Sequence, residues 1–190
     1  MEPVSTEWGD PPRTLQSINM SRDGRYIVGQ LVSSAVTGAD IWMMPVSGSV
    51  GKPRAFLQTR ANESAPSLSP SASWITYGSD ESGRMEVYAQ SFPEPGRKYQ
   101  ISVKGGNSPI WSRDGRELFF LGPDLAMMAV SIRDVGGKLE IGSPTQLFDP
   151  KIAGNKFDVS KDGRFLIPVR NDAAASPLNL IVNWQSLTQR

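Results

Sequence analysis

Short runs of hydrophobic residues, each bounded by turn-forming residues, recur along the whole chain. Four of them follow a polar turn segment and cover residues 26–32, 74–78, 117–121 and 165–169. Runs of this length that are rich in aromatic and branched residues predict β-strands. The 190 residues include 18 glycines and 15 prolines, and the longest stretch without either spans 13 residues, 178–190. We therefore expect strands and turns, with no long helix.

The polar turn segment is itself a repeat. It reads Ser-Arg-Asp-Gly-Arg from Ser21 and from Ser112, Ser-Lys-Asp-Gly-Arg from Ser160, and Ser-Pro-Ser-Ala-Ser from Ser69. The serines lie 48, 43 and 48 residues apart, near the roughly 40–45 residues of a four-stranded propeller blade. The Gly is expected to close a three-residue hairpin loop in the left-handed conformation. Ala72 holds that position in the second copy, where a side chain is strained.

Each copy continues with further predicted strands in the same order. A third strand is predicted over 40–46, 85–92, 125–132 and 178–184, and a fourth over 53–57, 98–101 and 144–148. The fourth copy lacks this outer strand, whereas residues 12–15 resemble an isolated one. The chain thus divides into a leader with an orphan outer strand, 1–15, and a propeller region, 16–190, with blades at approximately 16–58, 64–102, 107–149 and 155–190. The predicted fold is an all-β propeller of about four four-stranded antiparallel blades.

These segments resemble a known repeat. The Ser-x-Asp-Gly-Arg turn, the run from Asp40 to Gly48 and the segment from Lys52 to Arg54 are similar to the TolB-type, WD40-like repeat (PD40) of bacterial β-propellers. The resemblance covers roughly residues 12–184. The ending is similar to the last blade of propellers fused behind bacterial serine/threonine kinases, although the chain has no kinase motif. The resemblance implies a periplasmic location and a larger ring, of which this chain is expected to be an incomplete arc. The alternatives are a closed four-bladed ring, in which the orphan strand completes the last blade, and an assembly of two copies.

Two absences exclude most catalytic chemistry. The chain has no His and no Cys, which removes histidine- and cysteine-based metal sites, Ser-His-Asp and Cys-His nucleophiles and imidazole proton transfer. No phosphate loop or Gly-x-Ser-x-Gly motif is present. We therefore expect no catalytic residue, no metal and no cofactor, and predict that the chain is not an enzyme on its own. The net charge of +1 without a basic cluster argues against nucleic acid, and no apolar stretch is long enough for a membrane helix.

The loops that join one blade to the next are the predicted binding surface. They cover residues 58–65, 102–108 and 150–156, and in a propeller they gather around one mouth of the central channel. Loops on a rigid scaffold commonly carry recognition, and the alternative is that these are ordinary solvated loops. The predicted binding residues are Arg60, Asn62, Glu63, Lys104, Asn107, Asn155 and Lys156. The strand tryptophans are expected to pack between blades instead: Trp42, Trp74, Trp111 and Trp184.

These features predict a non-catalytic scaffold that binds a protein or a small ligand, as the sensor or interaction part of a larger bacterial protein. The alternative is the accessory or gating propeller of a prolyl-oligopeptidase-like serine hydrolase whose catalytic domain lies outside this sequence. An open arc exposes an apolar blade face at each end, and exposed apolar patches promote association. Self-association through the open blade edges is therefore also expected.

Overall fold

A computed structural model describes residues 15–34, 38–46, 51–169 and 179–181 of the chain. These residues form four antiparallel β-sheets. Within them the one helical segment is a single 3-10 turn at Pro123–Leu125. The architecture is that of an incomplete β-propeller, as the sequence predicts, and each sheet is one blade.

The first two blades each have four strands that pair in chain order. Blade one consists of β1 Leu15–Met20, β2 Tyr26–Ser34, β3 Gly38–Pro45 and β4 Arg54–Leu57. Blade two consists of β5 Glu63–Leu68, β6 Trp74–Ser79, β7 Glu86–Ser91 and β8 Lys98–Gln100.

The last two blades depart from the four-strand pattern. Blade three has five strands, β9 Asn107–Trp111, β10 Glu117–Leu121, β11 Met127–Asp134, β12 Leu139–Ile141 and β13 Thr145–Phe148, of which the last two both pair with β11. Blade four has three strands in the described part of the chain, β14 Asp158–Val159, β15 Phe165–Ile167 and β16 Asn179–Ile181. The first strands of successive blades contact one another, β1 with β5 and β5 with β9, so these are the inner strands of the propeller.

The repeated turn joins the first and second strands of each blade, and in all four copies the serine carbonyl accepts the N–H of the residue three positions on. In blade one the Ser21 hydroxyl accepts from the Tyr26 N–H at 2.9 Å and donates to Asp23 Oδ1 at 2.7 Å. Gly24 has φ +71° and donates its N–H to the Ser21 carbonyl at 2.9 Å. The hydrogen bond from Ser21, followed by bonds from Arg25, lowers the pKa of Asp23 to about 2. The carboxylate is thus part of the turn.

Ala72 adopts the left-handed conformation that the repeat predicts. Its φ is +53°, and its N–H donates to the Ser69 carbonyl at 2.9 Å, as Gly24 does in blade one. Ser71 replaces the Asp of the other turns, and its hydroxyl lies 3.1 Å from the Ser69 hydroxyl. Tertiary packing therefore holds a strained residue in this turn, because the Ala72 side chain is buried.

Hydrophobic clusters fill the spaces between successive blades. Between blades two and three, Trp74 and Trp111 are buried with Leu118 and Phe120. The Trp111 indole donates to the Ser67 carbonyl and the Trp74 indole to Asp134. Packing of these two tryptophans between blades is thus confirmed. Trp42 is half-buried on blade one, and Trp184 lies outside the described residues.

The outward faces of the first and last blades differ from these interior faces. Ile18 and Met20 of β1 are 63% and 59% exposed, although Pro66 and Leu68, at the same positions before the turn serine of blade two, are buried. Leu166 of β15 is 42% exposed. Both ends of the arc therefore present apolar side chains to solvent.

Leu15 is the one residue of the predicted orphan outer strand that the structure describes. It begins the inner strand β1 and pairs with Leu31 of β2, so its assignment to an outer strand is wrong. The physical reason is local packing, because its side chain occupies the space above Gly29 that a Cβ there would fill. The predicted strand residues 12–14 lie outside the described residues. Within the described ranges, no helix is long and apolar enough to cross a membrane.

Candidate functional site

The connections from one blade to the next lie at a single end of the sheets, which we call the mouth end. They cover residues 58–62, 101–106 and 149–157. The connections between the second and third strands of each blade lie at this end too, because antiparallel strands alternate in direction. The repeated serine turns occupy the opposite end.

A buried carboxylate fixes the second of these connections. Glu86 of β7 accepts the N–H of Gly105 at 2.9 Å to each carboxylate oxygen. Arg84 Nε donates to the same carboxylate at 2.6 Å, and the Ser102 hydroxyl donates to it as well. A buried carboxylate needs donors of this kind. The loop that carries Lys104 is therefore held in place by its hydrogen bonds to one side chain.

Glu63 lies at the junction of blades one and two rather than in a solvated loop. Its side chain is buried at the start of β5, where the Thr59 hydroxyl donates to Oε1 at 2.5 Å and Oε2 has no hydrogen-bond partner. Burial is the main cause that raises the pKa of Glu63 to about 7; the Thr59 hydrogen bond opposes the rise, and the charge of Asp40 contributes to it. The buried Glu63 carboxyl therefore belongs to the packing between blades one and two.

Asn62 joins the same two blades by hydrogen bonds. Its N–H and side-chain amide donate to Asp80 at 2.8 and 2.7 Å, and its Oδ1 accepts the Ala39 N–H at 3.3 Å. The side-chain bond, and then the backbone bond, lower the pKa of Asp80. Arg60, the third predicted residue of this loop, is exposed. Asn62 and Glu63 thus have structural partners, and binding by this loop stays a prediction.

A small polar cavity at the mouth end is lined by residues from all four blades. We call it the central cavity, and its volume is about 140 Å³. Blade one supplies Ser17 and Gln30, and blade four supplies Asn155 and Lys156. Blades two and three supply the remaining residues that line it: Ser64, Ala65, Met85, Asn107 and Ser108.

One position of the repeat contributes a lining residue to this cavity from every blade. Ser17, Ala65, Ser108 and Lys156 each stand four residues before the serine of the turn, and all four line it. The first three have φ of +47°, +48° and +51°, and the strand pairing shifts register around them. Each is therefore a bulge in an inner strand, and a bulge turns side chains away from the regular ladder. Left-handed residues other than Gly cost energy and commonly occur at functional sites.

Two asparagines give the cavity its polar character. Asn107 Oδ1 is buried and has no hydrogen-bond partner, so an acceptor is left unused. The Asn155 carbonyl accepts the Ser108 hydroxyl at 2.6 Å, which connects blades three and four. Lys156 is the only lining residue with an ionisable side chain. The central cavity thus combines one cation with neutral donors and acceptors.

Two larger grooves lie beside the central cavity at the mouth end. The first has a volume of about 620 Å³ and lies between the 102–105 loop and blade three. Phe120, Ala126 and Met128 line its apolar part, and Lys104 and Gln146 are among its polar residues. The second groove has a volume of about 750 Å³ and includes Asn155. The grooves adjoin, because both are lined by Asp124 and Asp149.

A strained turn separates the two grooves. Asp124 and Leu125 have φ of +54° and +61°, and Ala126 closes the turn by donating its N–H to the Pro123 carbonyl at 3.0 Å. Two successive left-handed residues form a type I′ turn, in which Asn and Gly are the favoured residues. Leu125 is unusual there, because a residue with a side chain is strained at positive φ. Strained backbone of this kind is common at functional sites.

The structure thus distributes the seven predicted binding residues over separate places. Asn107, Asn155 and Lys156 line the central cavity, and Lys104 lines the first groove. Three lining residues lie outside the predicted loops, and the sequence argument missed them because it considered only loops: Ser17, Gln30 and Met85. The spacing of four residues before the turn serine was the signal that could have identified Ser17.

No family model matches the chain, and no curated protein matches it. Solved structures do. TolB from Acinetobacter baumannii superposes with a TM-score of 0.64 at 16% identity over 89% of this chain and 41% of its own. A protein assigned as TolB from Agrobacterium tumefaciens gives 0.62 at 16% identity over 86% of this chain and 60% of its own. A puromycin-hydrolyzing peptidase from Mycobacterium tuberculosis gives 0.60 at 16% identity, over 92% and 30%.

These matches establish the fold and its extent. The chain has a TolB-like β-propeller fold, and it spans less than two thirds of the length of each TolB structure. Four blades therefore correspond to part of a propeller, in agreement with the two exposed end faces.

Proposed function

We propose that the chain is a non-catalytic scaffold that binds a protein or a small ligand at the mouth end. One observation carries the proposal: two adjoining grooves of about 620 and 750 Å³ lie at this end. Volumes of about 300–1,000 Å³ with an apolar part and a few polar groups are typical of ligand sites. The 102–105 loop beside the first groove is fixed by Glu86, so this side of the site is formed before a ligand arrives.

The proposal is tested by screening a library of small fragments and short peptides against isotope-labelled protein by NMR. Shifts are expected at residues 102–105 and 123–128. Gln146→Trp, which adds an aromatic ring to the first groove, is expected to abolish them. Arg133→Trp places the same ring in a groove at the opposite end and is the matched control. Shifts concentrated at the opposite end, or equal loss in both variants, would contradict the proposal.

The proposal includes the absence of catalysis by this chain. It is supported by a sequence without His or Cys, since most hydrolases of this kind use one or the other. Purified protein is expected to leave generic peptide, ester and nucleotide substrates unchanged. Turnover that disappears when one residue of this chain is substituted would show that an active site is present.

A hydrolase-associated role remains the second candidate, because one structural neighbour is a peptidase. In that case the propeller is an accessory or gating domain and the serine nucleophile lies in another domain. The sequences beside these 190 residues in the gene distinguish the two. A kinase and a membrane helix upstream favour the sensor of a larger bacterial protein, with this propeller outside the cytoplasm. A Gly-x-Ser-x-Gly domain downstream favours the hydrolase.

A further inference from the structure

We infer that the end of the propeller opposite the mouth end is a docking surface for a short acidic segment of a partner protein. We call it the turn end, because the repeated serine turns lie there. The residues that contact the segment are Arg22, Arg113 and Lys161, which we call the turn cations. This surface is separate from the grooves of the proposed function, so either proposal can fail without the other.

The turn cations occupy one position of the repeat. Each directly follows the serine of the repeated turn, and the second blade has Pro70 there. Arg22 and Arg113 are 91 residues apart, yet the Arg22 guanidinium donates a hydrogen bond to the Arg113 carbonyl. With Lys161 they line one hollow of about 500 Å³ between the turns of blades one, three and four. The fold thus gathers cations that are scattered along the sequence.

The aspartates of the same three turns are already bound within their own turns. Asp23 pairs with Arg25 at 2.6 Å, and Asp162 pairs with Arg164 at 2.9 Å. The third, Asp114, accepts a hydrogen bond from the serine hydroxyl of its turn at 2.8 Å. Hydrogen bonds from the turn serines are the main cause that lowers the pKa of all three carboxyls. The positive charge of the turn cations therefore remains in excess.

This excess is large for a chain that is nearly neutral. Residues 21–25, 112–116 and 160–164 hold six cations and three carboxylates, a net charge of +3, whereas the whole chain has +1. The rest of the chain is therefore net negative. Inside the cluster the charge of Arg113, second to burial, lowers the pKa of Arg22. An anion placed between like charges stabilises both.

The exposure of the turn cations favours a segment with several carboxylates over a single anion. All three side chains lie at the surface, and an exposed ion pair contributes little on its own. Several pairs made by one segment add up, because each pair after the first forms within the complex. A long polyanion such as nucleic acid would also meet the negative remainder of the chain. A short acidic segment meets the turn cations alone.

The test is fluorescence anisotropy of the whole chain with a labelled peptide of alternating glutamate and glycine. The comparison peptide has glutamine in place of every glutamate. At low ionic strength the glutamate peptide is expected to bind at least about tenfold more tightly than the glutamine peptide, and added salt is expected to weaken it. Equal binding of the two peptides, or none, would overturn the inference. A short DNA duplex that binds more tightly than the glutamate peptide would overturn the choice of a peptide.

Substitution of all three turn cations by Gln locates the site. This variant is expected to bind the glutamate peptide at least about tenfold more weakly. The control removes the same charge at the same end, from exposed residues between the third and fourth strands of blades one to three, and is expected to retain most of the binding: Lys52→Gln, Arg97→Gln and Lys138→Gln. Equal loss in both variants would contradict the inference, because it would show a general attraction of charge.

A single charge reversal keeps the test decisive if the triple variant is less stable. Lys161→Glu is expected to weaken binding of the glutamate peptide, and Lys138→Glu is expected to leave it nearly unchanged. In the unchanged protein, the peptide is expected to shift NMR signals of residues 21–24, 112–115 and 160–163. Shifts confined to the mouth end would contradict the inference. Neutral fragments report on the grooves and acidic peptides on the turn end, which keeps the two proposals distinguishable.

Discussion

Met20 and Leu68 occupy the same position of the repeat in neighbouring blades, one residue before the turn serine, yet their surroundings are opposite. Leu68 is 7% exposed and packs against Val28 and Ile41 of the preceding blade. Met20 is 59% exposed, and no described blade precedes it. The comparison shows that a neighbouring blade, and not the residue's own strand, decides its burial.

The other end of the arc repeats the comparison in blades three and four. The turn of blade four is one residue shorter than that of blade three. The Ser160 N–H donates to the carbonyl of Arg164, whereas the Ser112 N–H donates to the carbonyl of Glu117. With that shift, Leu166 is equivalent to Phe119. Phe119 is 2% exposed and packs against blade four, whereas Leu166 is 42% exposed. Interior faces are thus complete and end faces are open.

The largest expected effect is a difference between two matched truncations. Leu68→Ala removes a buried side chain between two blades and is expected to lower the free energy of unfolding by about 2–5 kcal/mol. Met20→Ala removes an exposed side chain at the same repeat position and is expected to change it by less than about 0.5 kcal/mol. Chemical denaturation of both variants measures the difference. Similar losses would mean that Met20 is covered in solution.

Protonation of Glu63 makes the interface between blades one and two depend on pH. Its pKa of about 7 in the folded state exceeds its ordinary value of 4.5, so between these values the folded state holds a proton that the unfolded state has released. The free energy of unfolding therefore falls as pH rises from about 4.5 to about 7, by at most about 3 kcal/mol. Melting of Glu63→Gln across this range is expected to lack that fall.

Glu94→Gln is the control for this pH series. Glu94 is exposed and forms a surface ion pair with Arg54, and such pairs contribute little to stability. Its pH profile is expected to match that of the unchanged protein. A profile of Glu63→Gln that also matches would show that Glu63 does not hold the extra proton.

The glycines of the repeated turn also differ between an end blade and an interior blade. In Gly24→Ala the new methyl group meets no atom within 4 Å, so only the left-handed φ of +71° opposes it, at about 1 kcal/mol. In Gly115→Ala the methyl group also lies 3.3 Å from Pro70 of blade two. We expect both variants to melt at lower temperature, and the interior variant to lose more. Equal losses would mean that the neighbouring blade does not constrain the turn.

Ala72→Gly is expected to have the smallest effect. Relief of the left-handed strain gains about 1 kcal/mol, but loss of a buried methyl group costs about 0.8 kcal/mol. The two terms nearly cancel, and the melting temperature is expected to stay close to that of the unchanged protein. A large decrease in the melting temperature would mean that the buried methyl group of Ala72 contributes more to stability than its left-handed conformation costs.

The repeat made the blades and the turn conformation predictable from sequence. The Asp-Gly turns and the apolar strands that follow them depend only on residues adjacent in sequence. The left-handed φ of Ala72 followed from its alignment with Gly24. The burial of Glu63 was not predictable, because it depends on Asp40 and the strands of another blade. The bulges at Ser17 and Ser108 were not predictable either, because no glycine marks them in the sequence.

The two end faces of the arc are open to solvent. Single introduced cysteines measure this directly, because the chain has no native cysteine. The variants are Met20→Cys with Leu68→Cys, and Leu166→Cys with Phe119→Cys. In dilute, folded protein, maleimide labelling of the Met20 and Leu166 variants is expected to approach the rate in denaturant. Labelling of the Leu68 and Phe119 variants is expected to be at least about tenfold slower, because it requires local opening. Slow labelling of all four in monomeric protein would contradict the account and show that the ring is closed.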